Sequence, residues 1–196
     1  MLELVFVIVV IGIISAMVIP RIDRDNMFEA TNQLLNHIKY TQHLAMTEDI
    51  YDDGNALWFN QRWQVQLNVC GSYTVFSDRD GVAGANRADA AFDPETKNKR
   101  LFGDPACVAP ANTADYENLN LNNNYNIINI ATAGCGGNNI AFDTLGRPYI
   151  GTANINGVLQ VPCQIVLTDG ANAETILIQP ETGYACMLDA AGINCI

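Results

Sequence analysis

Positive charge is scarce in this chain of 196 residues: ten lysines and arginines stand against 21 aspartates and glutamates, a formal net charge of −11. Phosphate binding needs clustered Lys and Arg, so this balance argues against a nucleic-acid partner. No basic cluster stands clear of acids, since Lys97, Lys99 and Arg100 follow Asp93 and Glu95. The acidity itself reads as solubility. Histidine is nearly absent, with only His37 and His43. Six residues apart on a helix, they lie about 120° out of register and cannot share a metal. No GxSxG or HExxH sequence occurs, which disfavours an enzyme. Gly134, Cys135, Gly136 and Gly137 lack the Lys-Ser/Thr of a phosphate loop and read as a turn. No cofactor is implied. Charged residues make up only 16% of the chain and hydrophobic ones 49%, so this is not a disordered tail.

Six cysteines are present: Cys70, Cys107, Cys135, Cys163, Cys186 and Cys195. None has the CxxC spacing that zinc sites favour, and neither histidine is near them in sequence. Structural disulfides in an oxidising compartment are the reading, with free buried thiols the alternative. Six cysteines allow fifteen connectivities. Pairing sequence neighbours gives Cys70–Cys107, Cys135–Cys163 and Cys186–Cys195, which would tie down a long Gly/Asp loop, a Gly-rich turn and the C-terminus.

Residues 1–20 read MLELVFVIVVIGIISAMVIP, with no charge from Leu4 to Ile19. A helix of that length spans most of a hydrocarbon layer about 30 Å thick. A cleavable signal peptide would start with basic residues, whereas here an acid, Glu3, stands first. Hydropathy alone leaves an ordinary transmembrane anchor open. A carboxylate beside an apolar helix is costly to bury without a partner, so Glu3 is a candidate functional residue.

Glu3, Gly12 and Pro20, nine and seventeen residues apart from the glutamate, together with the Val/Ile run between them, resemble the N-terminus of type IV pilins and pseudopilins. That family's mature chains begin with a phenylalanine two residues before this Met1, after a short basic leader ending in glycine. The resemblance therefore implies that the sequence starts slightly inside the mature protein or inside the precursor. It also implies a charge pair between Glu3 and the amino terminus of a neighbouring subunit. Phe6 is expected to line the filament core.

From Met27 onward, Met27, Ala30, Leu34, Ile38, Thr41 and Ala45 recur at steps of three and four. This predicts an amphipathic helix reaching about Asp49. If continuous with the apolar segment, it would be about 75 Å long. Gly12 and Pro20 bracket a stretch predicted to unwind locally in a packed assembly. Beyond the helix the chain reads mainly as strands. Residues 62–69 and 72–77 form a predicted hairpin, followed by a long Gly/Asp/Ala loop over 78–108. Ten asparagines in residues 112–139 predict turns and exposed loops, although 125–131 alternates like a strand. Later strands are predicted at 139–142, 147–150, 158–168, 174–179 and 184–188. In the loop, Asp78, Asp80 and Asp89 fall at the first, third and twelfth positions of a calcium-loop pattern. Gly81 comes too early and Val82 offers no side-chain oxygen, so an acidic turn is favoured and calcium is a weak candidate.

Two segments, IAFDTLGRPYI (140–150) and ILIQPETGYA (176–185), resemble strand-turn motifs of minor pseudopilins and fimbrial proteins of the GspH/FimT group. The fold expected is α+β, one long N-terminal helix whose second half packs on an antiparallel sheet. Residues 1–25 form the apolar membrane or filament-core segment, and residues 26–196 the globular head. The function implied is a structural subunit of an extracellular type IV pilus-like filament. The alternative is a minor pseudopilin of a type II secretion system or of a pilus tip. The partners implied are copies of the same chain, the inner membrane before assembly, and the pilus or secretion machinery. The location implied is the inner membrane as a monomer, then an extracellular filament or periplasmic pseudopilus.

Overall fold

The computed structural model describes residues 2–18, 26–80, 84–103, 114–151 and 157–196. Helix α1 spans Leu2–Val18 and helix α2 spans Asn26–Thr47. The expected single long helix on one sheet is overturned. Helical residues fall into two segments, and the head carries two antiparallel sheets rather than one. No helix among the described residues is long and apolar enough to cross a membrane. At 1.5 Å per residue the 17 residues of α1 rise only about 26 Å. Helix α2 is amphipathic, with one buried stripe and a polar side. In the sequence between them, Pro20 removes a helical donor and the charged run Arg21-Ile22-Asp23-Arg24-Asp25 ends the apolar character; Pro20 itself lies outside the described residues. Gly12 is helical in the single chain, within the unbroken run to Val18.

The 3.6-residue period of α2 translates directly into burial. Met27, Ala30, Leu34, Ile38, Thr41 and Ala45 are all buried. Two threonines sit in that stripe without leaving a hydroxyl unmatched. Thr31 Oγ1 donates to Met27 O at 2.8 Å and Thr41 Oγ1 to His37 O at 2.7 Å, each one turn back.

The first sheet contains β1 (Gln64–Asn68), β2 (Ser72–Phe76), β4 (Asn139–Phe142) and β5 (Pro148–Ile150), ordered β2-β1-β4-β5. The second contains β3 (Asn129–Ala133), β6 (Cys163–Thr168), β7 (Ala173–Ile178) and β8 (Ala185–Met187), ordered β3-β6-β7-β8. All pairings are antiparallel, with Val65 opposite Val75 and Ile165 opposite Ile176. Helix α2 lies against strands of both sheets, and one core joins all three around Leu34, Ile38, Val65, Phe142, Ile165 and Ile176.

Strand β2 is buried along its whole length. Its outer edge is occupied by the described part of the Gly/Asp/Ala loop: Ala91 N donates to Val75 O and Val75 N to Leu101 O, both at 2.9 Å. Thr74 Oγ1 exchanges hydrogen bonds with the backbone of Gly103. The loop therefore covers a sheet edge that would otherwise be open to another chain. Part of the asparagine-rich region, expected as turns and loops, folds into two short helices, α3 (Ala114–Leu119) and α4 (Leu121–Tyr125). Asparagine works at both ends of α4. Asn120 accepts from Asn123 N at 3.2 Å as an N-cap, and Asn126 closes it at φ 61°.

The disulfides Cys135–Cys163 and Cys186–Cys195 are formed. Cys70 is also disulfide-bonded; its expected partner Cys107 lies outside the described residues.

Candidate functional site

The surface that sets this molecule apart is α1. Residues 5–11, Val-Phe-Val-Ile-Val-Val-Ile, are all exposed, Phe6 at 68% and even the least exposed, Val10, at 36%. An exposed stretch of this kind marks a surface that another apolar body covers. The helix is apolar around its circumference rather than on one stripe. Glu3 is exposed in its first turn, where the helix dipole favours an acid. Gly12 has open space around it, with nothing within 4 Å of an added Cβ. Of the four expected assembly residues, Glu3, Phe6 and Gly12 thus share one exposed helix; Pro20 is not described.

The two turns that carried the C-terminal motifs come together. Gln42, on α2, donates from Nε2 to Gly146 O at 2.9 Å and to Thr182 O at 3.1 Å. Gly183 (φ 66°) lies so close to the Gly146 carbonyl that a Cβ there would collide with it. Glycine is required at this point both by the left-handed backbone and by the contact. Sequence reasoning found both turns but missed Gln42, whose only signal was a polar residue next to the buried Thr41.

Glu48 is a second residue the sequence did not single out. Its Oε2 accepts from Trp63 Nε1 at 2.8 Å and from Arg79 Nη2 at 2.6 Å. The Arg79 guanidinium lies 5.3 Å from the Trp63 ring centroid. Burial pushes the Glu48 carboxyl up, but the two hydrogen bonds and the Arg79 charge outweigh it and hold it below the usual carboxylate value. Trp63 is thereby a buried anchor with its N–H satisfied. Trp58 packs edge-on to Tyr51 at 5.2 Å between ring centroids.

His37 is engaged inside the head. Its Nδ1 lies 2.6 Å from the Tyr73 hydroxyl, which also receives Gln33 Nε2 at 2.9 Å. Burial lowers the His37 pKa, with Asp93 pulling the other way, and burial raises that of Tyr73. Tyr73 is completely buried, whereas His37 is half-buried and reaches the wall of an open cleft. That cleft, about 500 Å³, is lined by asparagines such as Asn32 and Asn118, by Tyr125, and by His37, Asp93 and Glu95.

Asp78, Asp80 and Asp89 do converge, with one oxygen from each lying within 4.8 Å of the others. Asn86 Nδ2 donates to Asp80 at 2.9 Å and to Asp89 at 2.5 Å. An amide donor thus meets two of the three carboxylates.

No protein-family model matches the chain, and neither the curated proteins nor the solved structures contain a match.

Proposed function

We propose that this chain is a structural subunit of an extracellular filament, assembled by packing the α1 helices of many copies together. The observation that carries this reading is the exposed, all-round apolar surface of residues 5–11. Full burial of an aliphatic or aromatic side chain contributes about 1.5–3 kcal/mol. Seven such residues give a gross gain of roughly 10–20 kcal/mol, against an association cost of about 4–15 kcal/mol. The gain is thus of the same order as the cost and exceeds it over most of the range. The spacing of Glu3, Gly12 and Pro20 supports the same reading through its resemblance to pilin and pseudopilin N-termini; the fold of the head does not enter into it. Glu3 would meet a cation on burial, the amino terminus of a neighbouring copy being the expected one. The acidic head, tied by disulfides, suits the outer surface of such a fibre. Before assembly, the inner membrane and the pilus or secretion machinery are the partners of this reading.

The test is assembly on removal of detergent, followed by electron microscopy. The wild-type chain should form filaments, whereas Ile8→Lys and Glu3→Ala should remain dispersed with heads of unchanged stability. Glu3→Gln separates charge from hydrogen bonding. Filaments of normal yield from Ile8→Lys would contradict the reading. Abundance in native filaments distinguishes a main subunit from a minor or tip component.

A further inference from the structure

The chain has only ten arginines and lysines, yet two arginines line one small cavity in the head. This cavity, about 200 Å³, lies beside the C-terminal end of α2, and Arg62, Arg147, Asp143, Tyr51, Trp58 and Tyr149 are among its walls. Arg62 is 4% exposed. Its guanidinium stacks 3.8 Å from the Tyr149 ring centroid and 5.2 Å from that of Trp58. Its Nε is buried and has no hydrogen-bond partner. None of the ion pairs among the described residues includes Arg62. A buried arginine normally finds a carboxylate or carbonyl for its fork of donors.

The one acid in the wall cannot serve it. Asp143 Oδ1 accepts from Leu145 N at 3.0 Å and Arg147 N at 2.8 Å. Its Oδ2 accepts from Arg147 Nε at 2.7 Å and Tyr149 OH at 3.3 Å. Asp143 and Arg147 thus neutralise each other, and the charge of Arg62 is left over. Burial lowers the pKa of Arg62 more than the surrounding groups restore it. The aromatic faces stabilise the cation but supply no acceptor for its N–H donors.

We propose that this cavity is a binding site for a single carboxylate group, received by Arg62 and flanked by Trp58, Tyr51 and Tyr149. The net charge of the walls, two arginines against one aspartate, suits a monoanion and disfavours a dianion such as phosphate. The volume corresponds to about six or seven waters, room for a carboxylate with two or three carbons. Flat aromatic walls fit a planar group. The source is either a small free carboxylic acid or the side chain of an acidic residue on a second copy of this chain.

The full chain, labelled with ¹⁵N-arginine and held in non-ionic detergent, is titrated with sodium propionate, with sodium chloride and phosphate at equal ionic strength as comparisons. The Arg62 Nε–H resonance should move saturably with propionate, with half-saturation in the millimolar range, and not with chloride. Arg62→Gln deletes the site but removes a buried stacked side chain. The decisive variant is therefore Thr144→Trp, at an exposed position lining the cavity, which covers the mouth and leaves Arg62 in place. It should weaken half-saturation at least tenfold. The source is read by raising protein concentration without propionate. A shift that grows with concentration and is reversed by propionate assigns an acidic side chain of a second copy. A resonance independent of concentration assigns a free acid. Equal responses to propionate and chloride, a preference for phosphate, or full response in Thr144→Trp would overturn the proposal.

Discussion

Leu34 lies at the middle of α2, completely buried in the core that joins both sheets. Replacing it with alanine removes three carbons. At about 0.8 kcal/mol each, the lost transfer energy is roughly 2.4 kcal/mol. A residual cavity of about 50 Å³ adds about 1.2 kcal/mol at 24 cal/mol per Å³. The expected loss is therefore about 3–4 kcal/mol, a large part of the stability of a domain this size. Lys39→Ala, on the exposed side of the same helix, should change stability by less than about 0.5 kcal/mol. The assay is urea unfolding followed by tryptophan fluorescence, with the disulfides intact and equal m-values required of all variants. A loss below about 1 kcal/mol for Leu34→Ala would refute the tight packing of α2 on the core shared with both sheets, because a loosely held helix could move to fill the gap.

Breaking Cys135–Cys163 should cost more than breaking Cys186–Cys195. Their sequence separations of 28 and 9 give about 3.6 and 2.6 kcal/mol in the chain-entropy account, and paired Cys→Ala variants in thermal unfolding check the order. Glu48 has a folded pKa below its usual 4.5. Its contribution is present above the unfolded value and lost as pH falls through the folded one; Glu48→Gln should therefore lose stability near neutrality by up to about 1 kcal/mol and converge on wild type at acid pH in a pH series of urea midpoints. Gly183→Ala meets both a positive φ and the Gly146 carbonyl, whereas Gly192→Ala (φ 70°) has open space around it. The first should lose clearly more than the roughly 1–2 kcal/mol expected for backbone strain alone, and equal losses would remove the turn–turn contact as an explanation.

The buried stripe of α2 was readable because a 3.6-residue period needs no partner to be recognised, and all six expected positions are buried. The hairpin of β1 and β2 was readable for a similar reason, a Cys-Gly turn between short strand-forming runs. The pairing of strands into two sheets was not. The partner of β1 is β4, some seventy residues away, and local pattern carries no record of such a pairing. Glu3, Phe6 and Gly12 could be placed on one helix from spacing alone. Gln42, Glu48 and Arg62 could not be found, since each acts through groups remote in sequence: Gly146 and Thr182, Arg79, and Tyr149. The three aspartates were seen as a pattern, and they do converge. The amide of Asn86 that joins two of them lies between them in sequence but has no place in a metal-loop motif.

Assembly through α1 is tested most directly by locating that helix in the assembled particle. Photo-crosslinkers placed at Phe6 and Ile8 of the full chain, with a control at exposed Lys39, report what surrounds each position after detergent is removed. The account predicts a ladder of covalent multimers from Phe6 and Ile8 and monomers from Lys39, together with filaments whose reconstructed interior is filled by residues 2–18 of successive copies. Crosslinks from Phe6 and Ile8 confined to the same chain, or filaments in which α1 faces outward, would contradict it.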